Sequence, residues 1–159
     1  MTASFAPEEL RTIAEAPMLA GFALSMVDVG IVSTVPEAAA LSKQIAGAAK
    51  SYPTNSIIQA VFSEEALKSG AVKLEPPALK AENAQSEALV DEAIARVNAA
   101  LTTLSGKVSP EEIQEYKSFI YTCAEAVANA SGSGLFGSGA KVSEKESAAL
   151  ERLKTTLGL

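Results

Sequence analysis

The sequence predicts an all-α fold, a single-domain helical bundle of about seven or eight helices. Alanine, the best helix former, occupies 30 of the 159 positions. Apolar residues recur at helical spacing along most of the chain, and helix-capping patterns precede several of these stretches. No stretch has the alternating pattern of a convincing strand. The length and the 48% hydrophobic composition suit one domain with a sizeable core.

The first helix is predicted to begin at Pro7, because proline is tolerated in a first helical turn. The acids Glu8 and Glu9 then favour the positive end of the helix dipole. This first helix is expected to be short and to end near Pro17. A second, buried helix is expected from there to about Val29. Its uncharged stretch is too short for a bilayer, which needs about 20 apolar residues.

Shorter signals mark the middle of the chain. Thr34 and Glu37 have the spacing of a capping box and predict the start of a helix. Asn55 is expected to open a short apolar helix, and Ser63 to begin another turn that ends at Gly70. Residues 70–80 contain two adjacent prolines and are interpreted as a connector.

Three further helices are predicted in the C-terminal half. An apolar stripe indicates an inward-facing helix over residues 89–104. Ser109 and Glu112 form a capping box, and Ser143 and Glu146 repeat its spacing before the last helix. The apolar stripe comprises Leu89, Val90, Ala93, Ile94, Val97, Ala100, Leu101 and Leu104.

The first and last quarters of the chain resemble each other. With an offset of 103 residues Ile13 aligns with Tyr116, and with an offset of 109 Glu37 aligns with Glu146. The alignment predicts a pseudo-two-fold internal repeat, a natural architecture for a helical bundle. Chance similarity between two segments rich in alanine and glutamate is the alternative. The predicted single domain, 1–159, divides into a first copy at 6–49, middle helices and a connector at 50–108, and a second copy at 109–159.

Charge and missing residue types exclude several classes of function. Lys and Arg number 13 against 19 Asp and Glu, giving a net charge of −6, and the basic residues do not cluster into a nucleic-acid face. The chain has no histidine, which excludes Ser-His-Asp triads and the common zinc sites. We therefore expect no catalytic residue and no cofactor. The lone Cys123 is expected to be a small core residue.

The start of the sequence predicts a cytoplasmic protein. It lacks the basic region and cleavage pattern of a signal peptide, and no apolar run is long enough to span a membrane.

The loop Gly132–Gly137 spells G-x-G-x-x-G, the dinucleotide-binding fingerprint. That fingerprint functions between a strand and a helix, whereas here a predicted helix leads into the loop. The favoured interpretation is a loop whose Leu135 and Phe136 either fold back onto the core or bind a partner. A protein partner or a second copy of the chain is the expected class of partner.

Four acids near the two loops form a candidate divalent-cation site, since hard cations prefer oxygen ligands. The alternative is that acids in first helical turns stabilise the helix dipole, and this interpretation is favoured because no run has the alternating acids of a known calcium loop. The four candidate ligands are Asp28, Glu37, Glu144 and Glu146.

The Pro-Glu-Glu opening of each copy, the alanine-rich helix that runs into a glycine loop, and the start of the last helix at 143–150 resemble the tellurite-resistance TerB-like family of small bacterial helical proteins. The likeness is strongest over 109–159 and weaker over 6–49. It implies an all-helical, pseudo-repeated cytoplasmic domain linked to stress responses, with acidic residues that hold a divalent cation. The family's Asp-Gly pair followed by Glu is kept imperfectly by Asp28 with Glu37, and the second copy lacks the Asp.

Two functions follow from these observations. The leading hypothesis is a non-catalytic interaction module of the bacterial cytoplasm, linked to stress, with the loop around Leu135 and Phe136 as the candidate partner-binding surface. The alternative is a TerB-like protein that binds a divalent cation.

Overall fold

The computed structural model describes residues 4–27, 34–70, 86–131 and 144–159, and within these ranges the chain is helical without a strand. The predicted all-α fold is therefore confirmed. Seven helices lie in the described part of the chain. They are α1 (Pro7–Val27), α2 (Thr34–Ser51), α3 (Ser56–Phe62), α4 (Glu64–Ser69), α5 (Ser86–Leu104), α6 (Pro110–Ser131) and α7 (Glu144–Leu157).

The centre of the bundle is α1, which packs against α2, α3, α5, α6 and α7. It is buried on most of its circumference because its residues are apolar and mostly small, so neighbouring helices can approach closely. The residues of α1 that are buried include Ile13, Ala14, Ala16, Leu19, Ala20, Ala23 and Leu24.

The prediction that the first helix ends near Pro17 is wrong, because α1 continues through this residue to Val27. Proline has no N–H to donate to the carbonyl four residues earlier, which here is that of Ile13. That carbonyl oxygen instead accepts a hydrogen bond from the Tyr116 hydroxyl, at 2.6 Å. The bond that the proline removes from α1 is thus replaced from another helix.

The two longest of these helices, α1 and α6, lie side by side and run in the same direction. Near their starts Tyr116 contacts Ile13. Further along both helices, a Cβ atom built on Gly21 would lie 3.3 Å from Val127 Cγ2. Both helices begin at a proline, which is where the predicted repeat aligns them. The repeat itself stays a prediction.

Two neighbours of this central pair run in the opposite direction. Near the start of α1, Glu9 forms an ion pair with Lys107, which lies just beyond the end of α5. Further along α1, Glu15 forms an ion pair with Arg96, which lies earlier in α5, at an N–O distance of 3.4 Å. The C-terminal end of α2 lies beside the first half of α6. There the ring of Tyr52, just after α2, packs edge-on against the Phe119 ring, with the centroids 6.0 Å apart. Antiparallel packing of this kind is typical of helical bundles.

Large side chains from α3 and α6 pack against each other in the core. Phe62 and Phe119 lie with ring centroids 5.4 Å apart, a tilted arrangement that aromatic pairs favour. The predicted stripe of α5 is confirmed as inward-facing, with only Ile94 and Leu101 half-buried. Cys123 is also buried, as predicted.

Local capping signals place the short helices where the sequence predicted them. The Asn55 side chain accepts from the Ile58 N–H at the start of α3, and the Ser63 hydroxyl accepts from the Ala66 N–H at the start of α4. Gly70 ends α4 in the left-handed conformation, at φ 67°. Over the ranges described, no helix combines the length and the apolar character that crossing a membrane requires.

Candidate functional site

The structure describes only part of the predicted cation site. Asp28 lies outside the described residues, and Glu37 lies in α2 with a side chain that is not described. Glu144 is exposed at the start of α7, whereas Glu146 is 3% exposed. Residues two apart on a helix do not face each other, so these two carboxylates lie on different sides of α7. The four-residue site stays a prediction.

The remaining candidates fall as follows. Leu135 and Phe136 lie outside the described residues, so the partner-binding loop also stays a prediction. In the four described ranges, no three residues of the Asp, Glu, Cys and His types group in a way that could hold a metal ion.

An extensive polar arrangement joins the starts of α3 and α6, and we call it the α3–α6 junction. Its buried centre is Asn55, which is 0% exposed. The Asn55 Nδ2 donates to the Glu112 carbonyl oxygen at 3.0 Å and to Glu115 Oε2 at 2.9 Å. Its Oδ1 accepts from the Ile58 N–H at 3.0 Å. The junction comprises Asn55, Ser56, Ser109, Glu112 and Glu115.

The carboxylate of Glu112 serves both helices of the junction. Its Oε1 accepts from the Ser56 N–H at 2.9 Å and from the Ser56 hydroxyl at 2.6 Å. Its Oε2 accepts from the Ser109 N–H at 3.1 Å and from the Ser109 hydroxyl at 3.2 Å. The bonds to Ser109 complete the predicted capping box of α6. One carboxylate therefore satisfies donors at two helix starts.

These bonds lower the pKa of Glu112 from its usual 4.5. The largest cause is the hydrogen bond from the Ser56 hydroxyl, and partial burial opposes it. Hydrogen bonds to an ionised carboxylate favour the charged form. The side chain is therefore ionised at neutral pH and acts as a hydrogen-bond acceptor.

A second polar link fastens α2 to α3. The Gln59 Nε2 donates to the carbonyl oxygen of Ala49, in the last turn of α2, at 2.7 Å and to that of Tyr52, just after α2, at 3.1 Å. Helix ends leave carbonyl groups without partners, so a side-chain amide here stabilises the turn between the helices. The junction and this link together fix α3 against α2 and α6.

Sequence reasoning identified the parts of the junction but not the whole. The capping positions Asn55, Ser109 and Glu112 follow from local patterns. The contact between Ser56 and Glu112 spans 56 residues of sequence, and no local pattern encodes it. No buried side-chain nitrogen or oxygen in the described ranges lacks a hydrogen-bond partner. The junction thus holds helices together and leaves no buried group aimed at a ligand.

The buried hydroxyl and thiol groups of α6 are held in their neutral forms. Burial raises the pKa of Tyr116 well above its ordinary value of 10.0, and its hydroxyl donates to a backbone carbonyl. Burial likewise raises the pKa of the Cys123 thiol. A nucleophile or a general base needs an accessible, deprotonated group. These two side chains therefore contribute packing and hydrogen bonding to α6.

Comparison of the chain with protein families, curated proteins and solved structures found no match.

Proposed function

We propose that this protein is a non-catalytic helical interaction module of the bacterial cytoplasm, linked to stress responses. The observation that supports the proposal is the use of the buried polar groups. Asn55 and Tyr116 both form hydrogen bonds between helices, and Cys123 lies in the core with a protonated thiol. These three groups are engaged within the fold, so the proposal assigns partner binding to the surface of the protein.

The partner-binding segment in this proposal is the stretch of sequence between α6 and α7 that contains Leu135 and Phe136. These are the two large apolar side chains within a stretch of glycine and serine, and their burial against a partner would favour association. Net charge −6 makes a partner with a basic surface more favourable than an acidic one.

The test is a crosslinking pull-down from a bacterial lysate with the full chain as bait. We expect a specific partner to be recovered by the natural protein and lost by the double variant Leu135→Ser and Phe136→Ser. The double variant Ser133→Ala and Ser138→Ala is the matched control in the same segment and should retain the partner. Recovery of no partner, or equal recovery by all three proteins, would contradict the proposal.

The alternative proposal is divalent-cation binding by Asp28 and Glu37, supported by the resemblance of this segment to the TerB-like pattern. A ligand at about 100 times its Kd adds about 2.7 kcal/mol, which raises the melting temperature of a chain of this size by about 5 to 11 °C. Melts of chelator-treated protein with Ca²⁺, Mg²⁺, Mn²⁺ or Zn²⁺ measure this shift.

The control for the cation test is a pair of exposed acids on α4. A rise for one ion that is lost in Asp28→Asn with Glu37→Gln, but kept in Glu64→Gln with Glu65→Gln, would establish the cation site. A flat panel would end the cation proposal and leave the interaction module as the function to pursue.

A further inference from the structure

We infer that Tyr116 and Pro17 form a coupled pair, in which the tyrosine hydroxyl supplies the hydrogen bond that the proline cannot make and so keeps the central helix α1 continuous. The pair is a conformational device of the fold, and it does not depend on the proposed function.

The first support is geometric. Pro17 lies inside α1 and has no N–H, which leaves the carbonyl of Ile13 without its usual helical donor. The Tyr116 hydroxyl donates to that oxygen at 2.6 Å. Both Ile13 and Tyr116 are 0% exposed, so water cannot replace the bond. An unpaired carbonyl buried here would carry its full desolvation penalty.

The second support comes from the predicted repeat. The offset of 103 residues that aligns Ile13 with Tyr116 also aligns Pro17 with Ile120. The first copy therefore has the proline without a tyrosine, and the second copy has the tyrosine without a proline. The proline and the tyrosine thus lie in different copies of the predicted repeat and are joined through one hydrogen bond between the parallel helices.

The experiment is a double-mutant cycle of Tyr116→Phe and Pro17→Ala, measured by urea unfolding of the full chain. In the natural background, Tyr116→Phe should raise the unfolding equilibrium constant about 5- to 30-fold. In the Pro17→Ala background, the new N–H of residue 17 donates to the Ile13 carbonyl. Tyr116→Phe should therefore raise the unfolding equilibrium constant by a factor that is smaller by about 2-fold or more.

Tyr121→Phe is the matched control, because Tyr121 is a half-buried tyrosine on the same helix. Tyr121→Phe should change the unfolding equilibrium constant by the same factor in both backgrounds. Equal factors for Tyr116→Phe in the two backgrounds would overturn the inference. If Tyr116→Phe alone does not fold, the double variant with Pro17→Ala should fold, and its failure would overturn the inference as well.

Discussion

At the residue scale, the close approach of helices depends on a missing side chain in α1. A Cβ atom on Gly21 would lie 2.8 Å from Leu41 Cδ1 and 3.3 Å from Val127 Cγ2. The first distance is shorter than real Cβ contacts, so any larger residue must displace the Leu41 side chain. Gly47, on α2, has open space where its Cβ would lie. The two helical glycines therefore have opposite tolerances for alanine.

Gly47→Ala should raise the free energy of unfolding by about 0.5–1 kcal/mol, because alanine is the better helix former. Gly21→Ala gains the same helix propensity but must move Leu41, so we expect it to be at least about 1 kcal/mol less stable than Gly47→Ala. Urea unfolding of the two variants measures the difference. Equal stabilisation by both would show that α1 and α2 are not in close contact at Gly21.

At the element scale, the position of α3 depends on one carboxylate. The side chain of Glu112 binds donors at the starts of both α3 and α6, whereas Glu111 beside it is exposed. A residue that caps two helices at once has more influence on stability than a residue that caps one. The neighbouring acid shares its place near the helix dipole and is a natural control.

Glu112→Gln should lower the free energy of unfolding at pH 7 by about 1.5 kcal/mol more than Glu111→Gln does, since it removes charge-assisted hydrogen bonds as well as a dipole interaction. Urea unfolding of both variants measures this difference. Similar losses in the two variants would mean that the bonds to Ser56 contribute little.

The Glu112 carboxylate should also make the free energy of unfolding depend on pH under acidic conditions. The pKa of Glu112 in the folded state lies below its usual value of 4.5. The stabilisation that the ionised Glu112 provides is therefore complete above the usual value and is lost as the pH falls through the folded-state pKa. The natural protein should therefore lose more stability than Glu112→Gln between pH 7 and about pH 3. Urea midpoints measured across this range test the prediction. Equal losses in the natural protein and in Glu112→Gln would show that ionised Glu112 does not stabilise the fold.

At the scale of the whole molecule, the central place of α1 predicts cooperative unfolding. Its burial against five other helices means that no group of these helices can separate without exposing it. Small single domains of this length usually unfold in one transition. The predicted single domain should therefore show coincident urea transitions in far-ultraviolet circular dichroism and in the near-ultraviolet signal of its tyrosines. Two separate transitions would instead divide the chain into independent units.

Sequence patterns predicted the features of this fold that are encoded locally. The Asn55 cap, the Ser63 start of α4 and its end at Gly70 each depend on residues within one or two turns. The continuity of α1 could not be predicted, because the donor that relieves Pro17 lies 103 residues from Ile13 in sequence. The α3–α6 junction was missed for the same reason. Of the candidate cation site, the structure shows Glu146 buried and Glu144 exposed.

The hydrogen bond between Tyr116 and Ile13 also has a consequence for the history of the chain. An ancestor that acquired Pro17 first would have passed through a form with an unpaired buried carbonyl, whereas an ancestor that acquired Tyr116 first would have gained a second donor to an oxygen with a free lone pair. The second order avoids an unstable intermediate. We therefore expect the tyrosine to be older than the proline, and relatives with the tyrosine but without the proline to outnumber those with the reverse combination.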